Sequence, residues 1–274
     1  MAEGAMLRWS PVDWEDPAGG VIRLWPFLPS VVLPASLRRS IGTWDGLAFL
    51  LPDDEPQIWQ EQADEEKVSA GINRDAICVG GGILARMMIG MTFVEGVQAA
   101  RFPDPEPRRL LLAAESSAGH GQRPVFFVEP EDEEWIEWVE ACADEMVRIR
   151  QLIASVFGGR AWRKELKRAM RATRPPIRVR DEVAAQGLAE ASSLAATWWW
   201  RAEAVLNEEI IRNRDARLAG RLRGALAQLR EGQVDGRSAP VLLVPIMQAW
   251  LPTMRSALKR RPKAESIEPE EEEE

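Results

Sequence analysis

Four short, mostly apolar runs constrain what this 274-residue chain can fold into. They are 21–24 (VIRL), 46–51 (GLAFLL), 125–128 (VFFV) and 241–246 (VLLVPI). Short apolar runs of this kind are typical of strands covered on both faces, where neither side meets water. Between the first two lies a proline-bracketed loop (Pro26, Pro29, Pro34) and a short helix running to Ile41, with Ser36 as its expected cap. Strand, helix, strand in that order favours a crossover unit. The expected fold is therefore α/β: a mixed central sheet with helices on both faces and a long helical segment between the last strands.

The rest of the chain fills in that frame. Residues 1–20, broken by Pro11, Pro17, Gly19 and Gly20, read as an irregular or edge segment. A helix of mixed polarity is expected over 56–70. The run 75–79 reads as a strand that meets Gly80-Gly81-Gly82 and turns into an apolar helix over 83–99. Pro103, Pro105 and Pro107 imply an extended connector before a helix over 108–117. Trp135, Trp138, Val139, Cys142, Met146, Ile149, Ile153 and Phe157 recur at spacings of three and four, the period of a helix. Two long helices follow, 181–207 and 208–230, and a closing one spans 250–258. A single domain over 21–258 results, with a helical insertion at about 131–230. Residues 259–274 form a basic and then acidic tail; its last eleven residues hold seven glutamates and read as disordered.

Composition removes several classes of chemistry. The net charge of −8 argues against general nucleic-acid binding. Two cysteines, Cys78 and Cys142, build no disulfide framework and suit a reducing, cytoplasmic setting. The first residues lack the basic and then apolar pattern of a signal peptide. The most apolar long stretch, 77–100, holds Arg86, Glu95 and five glycines and reads as a buried helix rather than a span. His120 is the only histidine, and it lies between two glycines in an expected turn. A Ser-His-acid triad would have to use it, and no Gly-x-Ser-x-Gly elbow is present. One histidine and two distant cysteines do not make a zinc site.

Three features remain open to a ligand. Gly80, Gly81 and Gly82 before a helix offer backbone N–H groups to an anion, but lack the P-loop lysine. The stretch 160–180 sets Arg160, Arg163, Lys164, Lys167, Arg168, Arg171, Arg174, Arg178 and Arg180 against the single acid Glu165. It reads either as a solvated face or as a contact for phosphates, an anionic lipid surface or an acidic protein. Trp198-Trp199-Trp200, in a chain with twelve tryptophans, spreads indoles around a helix. At least one should be exposed unless the helix is covered on several sides.

In order, these segments resemble the TraB/PrgY pheromone-shutdown and Tiki family. The family's first strand enters a Gly-Thr-x-His motif where this chain has VIRLWPF (21–27), and its Asp-Val-Val-Ala-Leu-Glu-Leu strand resembles DGLAFLL (45–51). A later helix and strand are similar to RLLLAAESSAGHGQRPVFFVE (109–129). Its Arg-Asp helix resembles NRDARLAGRL (213–222), and its strand into Gly-x-Gly-His-Leu-Pro resembles VLLVPIMQAWLP (241–252). By this resemblance Phe27 and Trp250 stand where histidines belong, Leu50 where a glutamate belongs, and Met247 where a glycine belongs. In the family those polar residues are proposed to form a metal-dependent hydrolytic centre. Arg214 and Asp215 would be retained, buried beneath the old site.

The resemblance implies a filled cleft, no catalytic residues, no bound metal and no cofactor: a non-catalytic TraB-like domain that binds a protein partner and has the capacity to oligomerise. The alternative is a metal-dependent hydrolase with a divergent carboxylate site from Asp45, Glu115, Glu129 and Asp215. A second alternative is an anion- or nucleic-acid-binding accessory protein working through 160–180, less favoured because of the net charge.

Overall fold

The computed structural model describes residues 6–116, 123–130, 135–136, 158–232 and 239–267. Its centre is a five-stranded sheet of β1 (Val12–Glu15), β2 (Val21–Phe27), β3 (Gly46–Phe49), β4 (Val125–Phe127) and β5 (Val241–Met247) in the order β1-β2-β5-β3-β4. β1 runs antiparallel to β2 on one edge, and the other four strands are parallel. The fold is thus a mixed α/β sheet, as the apolar runs predict. Residues 1–20 contribute an edge strand, where Val12 pairs with Leu24 and Glu15 with Val21. The turn between β1 and β2 needs Gly20, whose φ is +91° and whose missing Cβ would lie 2.9 Å from Leu226.

Each parallel strand sends alternate side chains to two cores. Ile22, Leu24, Ala48, Leu50, Phe126, Val128, Leu242, Val244 and Ile246 face one; Trp25, Phe27, Leu47, Phe49 and Leu243 face the other. Burial on both sides explains why the strands read as apolar runs rather than as alternation. Pro245 sits near the end of a central strand, where a proline removes a ladder N–H. The sheet accommodates it because the β3–β5 ladder stops at Leu243, two residues earlier.

Helices cover both faces. On the Ile22 face lie α8 (Glu208–Glu231) and α9 (Leu251–Lys259), through residues such as Leu218, Leu222, Leu226 and Met254. On the Trp25 face lie α1 (Ala35–Arg38), α2 (Glu55–Val68), α4 (Gly82–Thr92), α5 (Pro105–Glu115) and α7 (Glu182–Glu203). α3 (Ile72–Gly80) joins α2 to α4, and α6 (Gly158–Ala172) packs on the outer side of α7. Asp181 caps α7 by accepting the N–H groups of Val183 and Ala184, and Asn207 caps α8 through that of Ile210. These caps divide the helical pair close to where the sequence does. Among the described residues no helix is long and apolar enough to cross a membrane.

Several local expectations are corrected. Residues 75–79 are helical, in α3, so the glycine triplet joins two helices and no strand precedes it. The apolar helix ends at Thr92 rather than at 99: the Thr92 hydroxyl bonds the Ile89 carbonyl, and Gly96 at φ +74° lies against Val183 and Ala184. Pro105 and Pro107 are not in an extended connector but in the first turn of α5, where a proline's missing N–H costs nothing. Ser36 lies inside α1, which starts after Pro34 with no side-chain cap. The described part of the tail, up to Ile267, is docked: the Glu265 N–H donates to the Gly220 carbonyl, and Ile267 packs on the α8 core. The helix expected from Trp135 is seen as helical at 135–136, and its remainder, with Cys142 and His120, lies outside the described residues.

Candidate functional site at the carboxyl edge of the sheet

In open α/β sheets ligands bind beyond the carboxyl ends of the parallel strands. The four positions singled out by the sequence resemblance, Phe27, Leu50, Met247 and Trp250, lie at that edge. Phe27 ends β2 and pairs in register with Met247 at the end of β5; Leu50 follows β3; Trp250 precedes α9. Phe27, Leu50 and Trp250 are buried. They do not share one face: Phe27 belongs to the α7 side, Leu50 and Trp250 to the α8 side, and Met247 touches both.

A charged network lies against the Trp250 side of this edge. Asp215 Oδ1 accepts three bonds: from Trp250 Nε1 at 3.0 Å and from Arg214 Nε at 2.9 Å and Nη2 at 2.8 Å. Arg214 Nη2 also donates to Glu203 Oε1 at 2.7 Å. The Arg214 guanidinium sits 4.8 Å from the centre of the Trp250 ring and 5.4 Å from that of Trp199, and the two indoles stack at 5.0 Å. Arg214 and Asp215 therefore form the buried pair the sequence singled out. Glu203 and Trp199 complete it from the last turns of α7, just before the chain crosses to α8 on the other face; the sequence singles out Trp199 only within the tryptophan triplet and does not point to Glu203.

One cation here serves two carboxylates. Burial raises the Glu203 pKa above its ordinary value, and pairing with Arg214 does not fully offset it. Burial alone would lower Arg214; Asp215 and Glu203 outweigh it and hold the guanidinium above its ordinary value. Nearby polar groups are also used internally. Ser192 donates from Oγ to Gln248 Oε1, and Gln248 Nε2 donates to the Arg8 carbonyl at 2.7 Å. The cavity beside them, lined by Leu28, Trp199, Met247 and Gln248 among others, measures about 10 Å³. That is room for a single water.

The carboxylates of the alternative metal site do not converge. Asp45 lies at the opposite edge, where its Oδ2 accepts the Val241 N–H at 2.8 Å. Glu115 is exposed at the end of α5. Glu129 follows β4 and accepts the Trp135 indole N–H at 3.2 Å, and burial raises its pKa. Among the described residues no three His, Cys, Asp or Glu side chains are grouped to hold a metal.

The anion-binding candidates separate as well. Gly80, Gly81 and Gly82 would each place a Cβ in open space, with positive φ at Gly81 (75°) and Gly82 (79°). The triplet is a hinge between helices rather than a loop wrapped on a ligand. On α6, Trp162, Leu166 and Ala169 face the protein. Arg160, Arg163, Lys164, Lys167, Arg171 and Arg174 are exposed, as are Arg178 and Arg180 beyond it. None of these eight pairs with a carboxylate of the described residues. Arg168 is the exception: it pairs with Glu165 at 2.6 Å and lies 4.7 Å over the Trp200 ring. The three adjacent tryptophans are all half-buried, because α7 is covered on several sides.

A second buried cluster escaped the sequence reading altogether. Glu106, fully buried, accepts the Leu33 N–H at 2.9 Å, Arg38 Nη2 at 2.6 Å and Arg109 Nε at 2.9 Å. Beside it Asp104 is pushed up to about 7 by burial. Asp104 Oδ1, Arg109 Nη2 and Trp25 Nε1 are shut from solvent without a protein partner. The cluster latches α5 to the loop after β2. No protein-family model, curated protein or solved structure matches this chain.

Proposed function

We propose that this chain is a non-catalytic α/β domain, TraB-like in the order of its elements, that works by binding a protein partner. One observation carries the reading: the carboxyl edge of the sheet is occupied by Phe27, Leu50, Met247 and Trp250, while Arg214, Asp215 and Glu203 spend their charges on one another. Catalysis by general acid–base chemistry or by a metal needs polar groups aimed at a space that admits substrate. Here the polar groups aim inward and the space admits one water. Trp250 uses its indole N–H to satisfy Asp215, so it substitutes for a polar edge residue structurally while closing the cleft.

The experiment is a hydrolysis assay on peptide and ester panels with Mn, Co and Zn added, comparing the natural chain with Asp215→Asn. The expected result is equal background turnover for both. Turnover in the natural chain that falls at least tenfold in Asp215→Asn, with the fold intact by circular dichroism, contradicts the proposal.

A further inference from the structure

A surface on the outside of α6, beside the carboxyl edge but facing away from its cavity, combines charge and apolar exposure in a way the packing does not explain. α6 turns its Trp162, Leu166 and Ala169 stripe onto α7 and its cations outward. The chain then makes a tight turn, closed by the Val179 N–H donating to the Pro176 carbonyl at 3.1 Å. Pro176 is buried and Val179 packs on the core, so the turn is anchored at both ends. Its tip is Ile177, 100 % exposed, between Arg174 and the exposed pair Arg178 and Arg180. Met170, 61 % exposed, stands among the cations of α6. Gly96 abuts Val183 and Ala184, which brings the segment after α4 to the first turn of α7; Phe93 and Val183 there are exposed too. Among the described residues the acids near these cations include Glu95, Glu165, Asp181 and Glu182; Glu165 pairs with Arg168, and Asp181 is engaged in capping α7.

We propose that this face docks on an anionic phospholipid surface, with the α6 cations on headgroup phosphates and Ile177 and Met170 entering the acyl boundary. Charge complementarity selects an anionic partner, since eight exposed cations stand without carboxylate partners among the described residues. The apolar prongs select lipid over nucleic acid. A phosphate backbone rewards cations alone, and single-stranded nucleic acid is held by stacking on exposed aromatic rings. Beside the cations, Trp162 and Trp200 are half-buried against the protein, and the one exposed ring here, Phe93 at the end of α4, does not make a row of stacking platforms. A fully exposed isoleucine on an anchored turn gains from leaving water, which a bilayer interface supplies. The face does not depend on the filled cleft. α6 lies along the carboxyl-terminal half of α7, with Ala169 against Ala196 and Arg168 over Trp200, but its exposed cations do not line the cavity at that edge.

The test is co-sedimentation of the full chain with phosphatidylcholine vesicles, with and without phosphatidylserine, alongside binding to duplex DNA. Retention should require phosphatidylserine and weaken with salt. Ile177→Ser should lower vesicle affinity about tenfold and leave any DNA binding unchanged. Arg174→Gln and Arg178→Gln should each lower it about fivefold. Ile177 and Arg178 are exposed, so the melting temperature of those two variants should hold and serve as the folding control, while Arg174, which bonds the Arg171 and Thr173 carbonyls, is compared after its own melting temperature is measured. No retention by phosphatidylserine vesicles overturns the proposal. So does retention indifferent to Ile177→Ser, or DNA binding tighter than vesicle binding.

Discussion

Asp104 shows how a single side chain sets a pH response. Burial raises its carboxyl to about 7, and its Oδ1 has no protein partner. In the unfolded chain the same group titrates near its ordinary value of 3.8. Between those values the folded protein holds a proton that the unfolded chain has lost. Stability from this group is therefore full below pH ~4 and falls as the pH rises through ~7. Asp104→Asn, which stays neutral, should flatten that slope and raise stability at pH 8 by about 1–2 kcal/mol, with little change at pH 4. Urea unfolding at the two pH values measures it; an equal effect at both would show that Asp104 is ionised in the fold.

At the scale of elements, the strands were legible and several helix ends were not. Doubly buried strands leave an apolar signature, so β3, β4 and β5 fall where GLAF, VFF and VLLVPIM occur. Short apolar runs are ambiguous between strand and helix when a glycine follows. That ambiguity placed 75–79 in a strand, whereas Gly81 supplies the break between α3 and α4. Arg214-Asp215 was legible as a pair, but its partners Glu203 and Trp199 come from α7 by tertiary packing, which spacing does not encode. Glu106 was missed because it sits between two prolines in a segment read as a connector. The part of the tail up to Ile267 was misjudged because composition counts glutamates, while docking on α8 depends on Ile267, Glu265 and the small residues Gly220 and Gly224 beneath them. Truncation after Arg261 should thus lower stability by about 1–3 kcal/mol through lost apolar burial. A denaturant midpoint unchanged by the truncation would show that the segment adds nothing to the fold.

For the molecule as a whole, the account rests on a division of labour. The sheet and its two helical layers hold a closed edge whose charges pair with one another, and the exposed cations of α6 are turned outward beside it. A fold alone does not assign activity, so the closed edge must be tested as chemistry. The direct measurement is metal stoichiometry by native mass spectrometry, after incubation with Mn, Co or Zn and desalting. The account predicts no stoichiometric metal on the chain. One ion per chain, lost when Asp215 is changed to Asn, would contradict it and place a working centre at the edge assigned here to packing.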